Sequence, residues 1–230
     1  MYFRAYYEPE DMHLPINERR IKSDATEAAL FKFSCEKLGE PEDLRKKYPK
    51  VCEIPFNSEN KWMLTVHEYE HPRGKFRIFI KGAPEKVWKL CKSIRVNDRV
   101  KIIYLCLCSY ILNKKIKKDR ELTEQLNRKF DRAYQKFASN GQRVLGFAEL
   151  QLSNQLFPED FKFERVPKPN FPVEAFTFLG FMTLHDPPKE GVDKAVSELR
   201  RAGIRVAMVT GDHPITAEVF FILKFQFELF

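Results

Sequence analysis

Two short runs of alternating character constrain the fold of this chain more than any other feature. In Trp62–His67 the apolar Trp62, Leu64 and Val66 alternate with Met63, Thr65 and His67, the period of a half-buried β-strand. His71-Pro72-Arg73-Gly74 is turn chemistry, and Phe76 to Lys81 returns as a second strand. Upstream, Ser23-Asp24-Ala25-Thr26-Glu27 marks a helix start with Asp24 and Glu27 in capping-box spacing. Ala29, Leu30, Phe33 and Leu38 then recur at helical spacing, and Gly39 ends the run. Strand and helix signals thus interleave in the first part of the chain.

The remaining signals fall in two groups. Pro41 to Pro49 reads as a charged connector, and Gly82-Ala83-Pro84 stops a strand and opens a short helix that ends near Lys92. Leu122, Leu126, Phe130, Ala133 and Phe137 mark an amphipathic helix, followed by a strand over Val144–Ala148 and a long irregular loop from Leu156 to Pro172. After residue 173 the pattern changes. Phe176–Leu184 is a continuous apolar strand, Asp186-Pro187-Pro188 opens a helix to Arg201, and Ile204–Val209 is a second apolar strand. Strand, helix and strand in that order predict an incomplete α/β parallel-sheet segment.

Composition narrows the function classes. Among 230 residues, 40 Lys and Arg against 32 Asp and Glu leave a net charge of +8. Residues 99–132 hold ten basic and four acidic side chains, so +6 of the excess sits in one stretch. A local run of this kind suits a solvated loop, which argues against a nucleic-acid partner. Five cysteines without a C-x-x-C pattern read as reduced thiols. The first residues lack the apolar region of a signal peptide. The longest apolar runs, Ile102–Leu112 and Val219–Phe230, fall short of the roughly twenty residues that a membrane span needs.

The sharpest chemical signal is Val209-Thr210-Gly211-Asp212-His213-Pro214. An apolar strand would deliver Thr210 and Asp212 to the carboxyl edge of a parallel sheet, where such folds bind ligands. The helix that follows could turn its free N–H groups toward an anion. Asp212 could equally cap that helix, with Gly211 turning the chain. Asp186, before two prolines, is a cap or a ligand. Lys81 ends a strand where Gly82 permits close approach to the backbone. Arg143 enters a strand after Gly141. No His/Cys metal set, Ser-His-Asp order or Walker loop is visible.

Six motifs occur in one order: Ser23–Glu27, Phe56-Asn57-Ser58-Glu59-Asn60-Lys61-Trp62, Lys81-Gly82-Ala83-Pro84-Glu85-Lys86, Gln142–Phe147, Asp186–Lys189 and Met208–Thr216. That order resembles the large cytoplasmic loop of the P-type cation-transporting ATPases, in wording nearest the alpha subunits of the sodium/potassium and proton/potassium pumps. The resemblance covers about residues 19–98 and 121–218. It implies an α+β nucleotide-binding domain over residues 1–172, an antiparallel sheet with flanking helices, then a partial α/β phosphorylation domain of haloacid-dehalogenase-like type over 173–218, with an atypical insert at 101–118 and an atypical tail at 219–230.

The same resemblance implies an ATP site. Phe56 would stack on adenine, Glu27 and Lys61 would flank the base, Lys81 and Gly82 would line the pocket, and Arg143 would approach the ribose or phosphates. An aromatic face for a base and cations for a polyanionic chain agree with that assignment. Asp186, Thr210, Gly211 and Asp212 would flank the transferred phosphoryl group, with Mg2+ implied by the family. The family pattern has Gln where Met63 stands, so a polar contact to the nucleotide would be lost. The D-K-T-G-T sequence of the phosphorylated aspartate is not in this chain, and without that nucleophile an aspartyl-phosphate does not form. The resemblance therefore implies a segment of a pump on the cytoplasmic face of the plasma membrane, whose partners would be the rest of the pump and a beta-type subunit. A free-standing, non-transporting ATP-binding module is the alternative.

Overall fold

A computed structural model describes residues 4–16, 18–69, 75–97, 117–184, 189–207 and 209. The turn at 71–74, most of the insert at 101–118, the tail at 219–230, and Asp186, Thr210, Gly211 and Asp212 lie outside the described residues. The chain divides into two compact units, residues 1–122 with 145–182 and residues 123–144 with 183–230.

In the first unit a two-stranded ribbon pairs β1 (Tyr6–Tyr7) with β2 (Ile21–Lys22). The Arg20 guanidinium closes the intervening loop by gripping both carboxylate oxygens of Asp11, at 2.7 and 3.0 Å. Helix α1 (Ala25–Leu38) follows. Its cap is the expected one: Asp24 Oδ1 accepts the Glu27 N–H at 3.0 Å, and Gly39, at φ 82°, turns the chain out while its N–H bonds the Cys35 carbonyl. The buried stripe differs from the expected one. Glu27, Leu30, Phe31 and Cys35 face inward, while Ala29 is exposed. The spacing allowed two overlapping stripes, and the one that reaches partners on the sheet is buried. The expected connector after Gly39 is also helical. Helix α2 (Pro41–Lys47) has Pro41 in its first turn, acids Glu42 and Asp43 behind it, and Arg45, Lys46 and Lys47 in its last turn, the charge order that a helix dipole favours.

The main sheet has seven strands: β3 (Lys50–Ile54), β4 (Trp62–Tyr69), β5 (Lys75–Gly82), β6 (Cys91–Asn97), β7 (Lys117–Glu121), β8 (Arg143–Gln151) and β9 (Phe176–Leu184). Their spatial order is β3-β4-β5-β8-β9-β6-β7. Helix α3 (Pro84–Lys89) connects β5 to β6 and ends three residues before the expected Lys92. The α+β assignment holds, with one difference in topology. The strand Phe176–Leu184 joins this sheet, pairing parallel to β6 through Ser93↔Thr177 and Ile94↔Phe178. A continuous apolar run fits any strand buried on both faces, so pattern alone does not say which sheet takes it. Its expected parallel partner, Ile204–Val209, has no strand among its described residues 204–207.

Cross-strand register assigns the two faces of the β4-β5-β8 centre, because directly opposed residues share a face. One face carries Leu64, Ile80 and Ala148, then Val66, Ile78 and Leu150. Near it Phe76 meets Phe163, which also packs on Phe161 and Phe171, so an aromatic cluster fastens the irregular loop. The other face carries Met63, Lys81 and Phe147, then Thr65, Phe79 and Glu149, then His67, Arg77 and Gln151. It is covered where Leu30, Phe31 and Cys35 of α1 form a core with Ala5, Tyr7 and Phe147. β4 is therefore buried on both faces, from Met63 through His67, where alternation predicted a half-buried strand.

That second face is polar and pays for its burial with partners. Glu149 bonds Arg77 at 3.3 Å and also Arg95, which grips both oxygens of Asp119 at 2.8 and 2.9 Å. His67 Nδ1 lies 2.9 Å from the Tyr48 carbonyl and so donates, which leaves Nε2 to accept from the Thr65 hydroxyl at 3.1 Å.

In the second unit, α4 (Glu124–Ala138) is capped by Thr123, whose hydroxyl accepts the Leu126 N–H, and it buries Phe130 and Ala138. Helix α5 (Val192–Arg201) has no buried side chain.

Burial pushes the His67 imidazole down to about 4, against the opposing bond to the Tyr48 carbonyl and with Lys50 adding a repulsive charge. The folded state therefore binds fewer protons than the unfolded chain, where a histidine titrates near 6.5. Stability is complete above that value and is lost as pH falls toward 4, by on the order of 3 kcal/mol. Urea melts at stepped pH, with the His67 ring titration followed by NMR, check this. A ring that titrates near its ordinary value would contradict the buried neutral imidazole.

Candidate functional site

Five of the residues singled out from the sequence lie in the first unit, and two pairs of elements bring four of them together. The first junction is between the loop entering β4 and the end of β5. Asn57 folds the loop, its Oδ1 accepting the Asn60 N–H at 2.7 Å and its carbonyl accepting the Lys61 N–H at 2.9 Å. This turn leaves Lys61 at φ 57°, in the left-handed region that a lysine enters at some cost. The conformation is held from the other side as well, because the Lys61 carbonyl accepts the Ala83 N–H at 2.9 Å.

Gly82 makes this approach possible. A Cβ at position 82 would stand 2.3 Å from the Lys61 oxygen and 2.6 Å from Trp62 Cα. Both are backbone atoms, with no rotamer to move them aside. Phe56, five residues before Lys61 in the same loop, is 59% exposed. The Phe56 ring thus stands in solvent on a pinned loop that also carries the exposed Lys61.

The second junction is between α1 and β5. Lys81 Nζ lies 2.5 Å from Glu27 Oε1, and both side chains are largely buried. The other Glu27 oxygen accepts the Arg4 backbone N–H at 3.2 Å. In a full capping box the N3 carboxylate would turn back to its own helix cap. Here the Asp24 half is formed, and the Glu27 carboxylate is spent on tertiary partners instead. Burial pulls the Lys81 ammonium below the ordinary lysine range, and Glu27 opposes that fall. Lys81 is thus a covered, ion-paired cation. Met63 stands opposite Lys81 in register, also buried.

Arg143 opens β8 and belongs to the second unit. The phosphoryl-flank set Asp186, Thr210, Gly211 and Asp212 lies outside the described residues. Among the described residues no group of three or more His, Cys, Asp or Glu could hold a metal ion. Sequence reading missed Asn57 and Ala83, which shape the loop, and Glu53, which holds Arg4 at 2.5 Å. The Asn57-Ser58-Glu59-Asn60 spacing, an Asx-type turn, was the available signal for the first.

Comparison with known proteins settles the lineage of this arrangement. The family model described as "P-type ATPase, cytoplasmic domain N" matches residues 2–104 and 103–191. The chain belongs to the P-type ATPase family. It is 39% identical over 215 residues to the sodium/potassium-transporting ATPase subunit alpha of Tetronarce californica, covering 94% of this chain and 19% of that protein. It is 40% identical over 216 residues to the potassium-transporting ATPase alpha chain 2 of Rattus norvegicus, with 94% and 19% covered. Against the sodium/potassium-transporting ATPase subunit alpha-A of Artemia franciscana the identity is 39%, with 94% and 20% covered. The chain thus spans about a fifth of the length of these relatives, and it is a cytoplasmic N-domain segment of a P-type cation ATPase alpha subunit. Among the described residues no helix is long and apolar enough to cross a membrane.

Gly82→Ala should destabilise this N domain by about 1–3 kcal/mol, the usual cost of forcing extra atoms into a packed site, and should do so by parting the β4 and β5 ends. Denaturant unfolding of the full chain measures it. Wild-type stability in the variant would mean that the Lys61–Trp62 backbone yields freely.

Proposed function

We propose that this chain is the ATP-binding segment of a sodium/potassium-type or proton/potassium-type pump. In the full-length protein it would present ATP to an aspartate carried elsewhere, at the cytoplasmic face of the plasma membrane and in company with a beta-type subunit. The observation that carries the reading is the exposed Phe56 ring on a loop whose backbone is pinned to Gly82-Ala83. A ring held in solvent by a fixed loop is free to stack on a planar ligand, and adenine is a flat π-surface of matching size.

Each remaining residue takes a role that its surroundings allow. Lys61, exposed in the same loop, is placed to meet polar or anionic atoms of the nucleotide. Gly82 lets the Lys61–Trp62 backbone close against the end of β5, which holds the loop that carries Phe56. Lys81 and Glu27 form a buried wall, and Arg143 would meet the ribose or phosphates. Asp186, Thr210, Gly211 and Asp212 would flank the phosphoryl group in a partial phosphorylation domain beginning after residue 172. Mg2+ would reach the site with the nucleotide.

Calorimetric titration of the full chain with ATP tests the reading. Phe56→Ala should weaken binding by roughly 1–3 kcal/mol, the value of one aromatic–base platform. The melting temperature should hold, because the ring is already largely in solvent. Trp62, adjacent to Lys61, should report the nucleotide by a change in fluorescence. Unchanged affinity in Phe56→Ala would overturn the assigned site.

A further inference from the structure

The Phe56 ring is carried by the chain between β3 and β4, and each end of that passage is tied to a different element. At the β4 end Asn57 folds the loop, and the Lys61 carbonyl takes the Ala83 N–H at 2.9 Å. At the other end the chain leaves β3 at Ile54, two residues before Phe56. β3 is an edge of the described sheet, next to β4 alone, and backbone with few partners opens first. Arg165, 112 residues further along the chain, reaches this end: its Nη1 donates to the Glu53 carbonyl at 2.9 Å. The arm that presents Arg165 is itself fixed. Asn170 Oδ1 accepts the Glu164 N–H at 2.9 Å, and Asn170 Nδ2 donates to the Lys162 carbonyl at 2.9 Å. Two residues before Arg165, Phe163 packs edge-on against Phe76 of β5, with ring centroids 4.8 Å apart.

We infer that Arg165 is a positioning residue of the proposed nucleotide site: by holding the Glu53 carbonyl it fixes the β3 end of the passage on which the Phe56 ring stands. The inference rests on the stacking role proposed for Phe56 and adds what keeps the ring in place. Glu53 precedes Phe56 by three residues, a stretch of chain that spans at most about 11 Å. Arg165 therefore acts through backbone and needs no contact with a ligand. Without its bond the passage is held at the Lys61 end alone. The ring then samples a wider range of positions, and affinity falls with the fraction of molecules whose ring is placed to stack. Stacking acts on the base, so the loss is the same whether or not the ligand carries phosphates.

A double-mutant cycle on the full chain, titrated calorimetrically with ATP and with adenosine, tests this. Arg165 is exposed, so its replacement leaves the fold intact. Arg165→Ala should weaken both ligands alike, by about two- to tenfold, the range for the loss of one hydrogen bond. In a Phe56→Ala background the same substitution should change ATP affinity by less than about twofold, because the ring through which Arg165 acts is gone. Losses that simply multiply would mean that Arg165 acts independently of the ring, and would overturn the inference. A loss confined to ATP would overturn it too, since the guanidinium would then be serving the phosphates by its charge. Wild-type affinity in Arg165→Ala, beside a weakened Phe56→Ala, would sink the inference and leave the Phe56 site standing. Wild-type chain that binds neither ligand, or Phe56→Ala with unchanged affinity, would remove the nucleotide reading itself and this inference with it.

Discussion

A lysine enclosed in a β-sheet has to meet a negative charge, and the bond between Lys81 and Glu27 fixes much of what surrounds it. The pair connects the third residue of α1 to the end of β5, so the helix cannot slide along the sheet without unburying a charge. Breaking such a pair by removing one partner typically costs several kcal/mol. Asp24 supports it by setting where the helix begins. Leu30, Phe31 and Cys35, on the same stripe as Glu27, then fall on Phe147. Farther along that face Glu149 does the same for β6, since Arg95 reaches it from the hairpin edge. The apolar face holds the sheet together by area, whereas the polar face dictates alignment.

Local patterns were legible in the sequence because their information is local. The capped helix at Ala25, the strands at Trp62 and Phe76, and the long apolar strand at Phe176 all follow from spacing within a few residues. Strands β3, β6 and β7 were not legible. Lys117–Glu121 is charged throughout, which β-propensity disfavours, and Lys50–Ile54 is a five-residue run broken by Glu53; both are strands because their neighbours pair with them. The fate of β9 was hidden for a related reason. Its parallel partner lies more than eighty residues earlier, with Thr177 bonding Ser93 across the pair at 2.9 Å, and no window of sequence holds both.

The site divides in the same way. Phe56, Lys61 and Gly82 could be named from short motifs, and for Gly82 the backbone geometry gives a reason to be that residue. What spacing could not convey was that Lys81 points into protein. Strand alternation places its side chain on one face or the other, but whether that face is solvent or core depends on α1, a separate element. The same holds for Thr65 and His67, polar residues that alternation assigns to water and that the fold buries against each other.

The pairing of β6 with β7 has an evolutionary corollary. Asn97 and Lys117 face each other in register, so the chain leaves this hairpin and re-enters it about 5 Å apart. Once the two ends are fixed so closely, the entropy of closing whatever lies between grows only with the logarithm of its length, about 0.6 kcal/mol for each doubling. The Arg95–Asp119 and Arg95–Glu149 bonds hold the hairpin from its base. A gene could lengthen or shorten this tip repeatedly while the rest of the sheet stayed under separate selection.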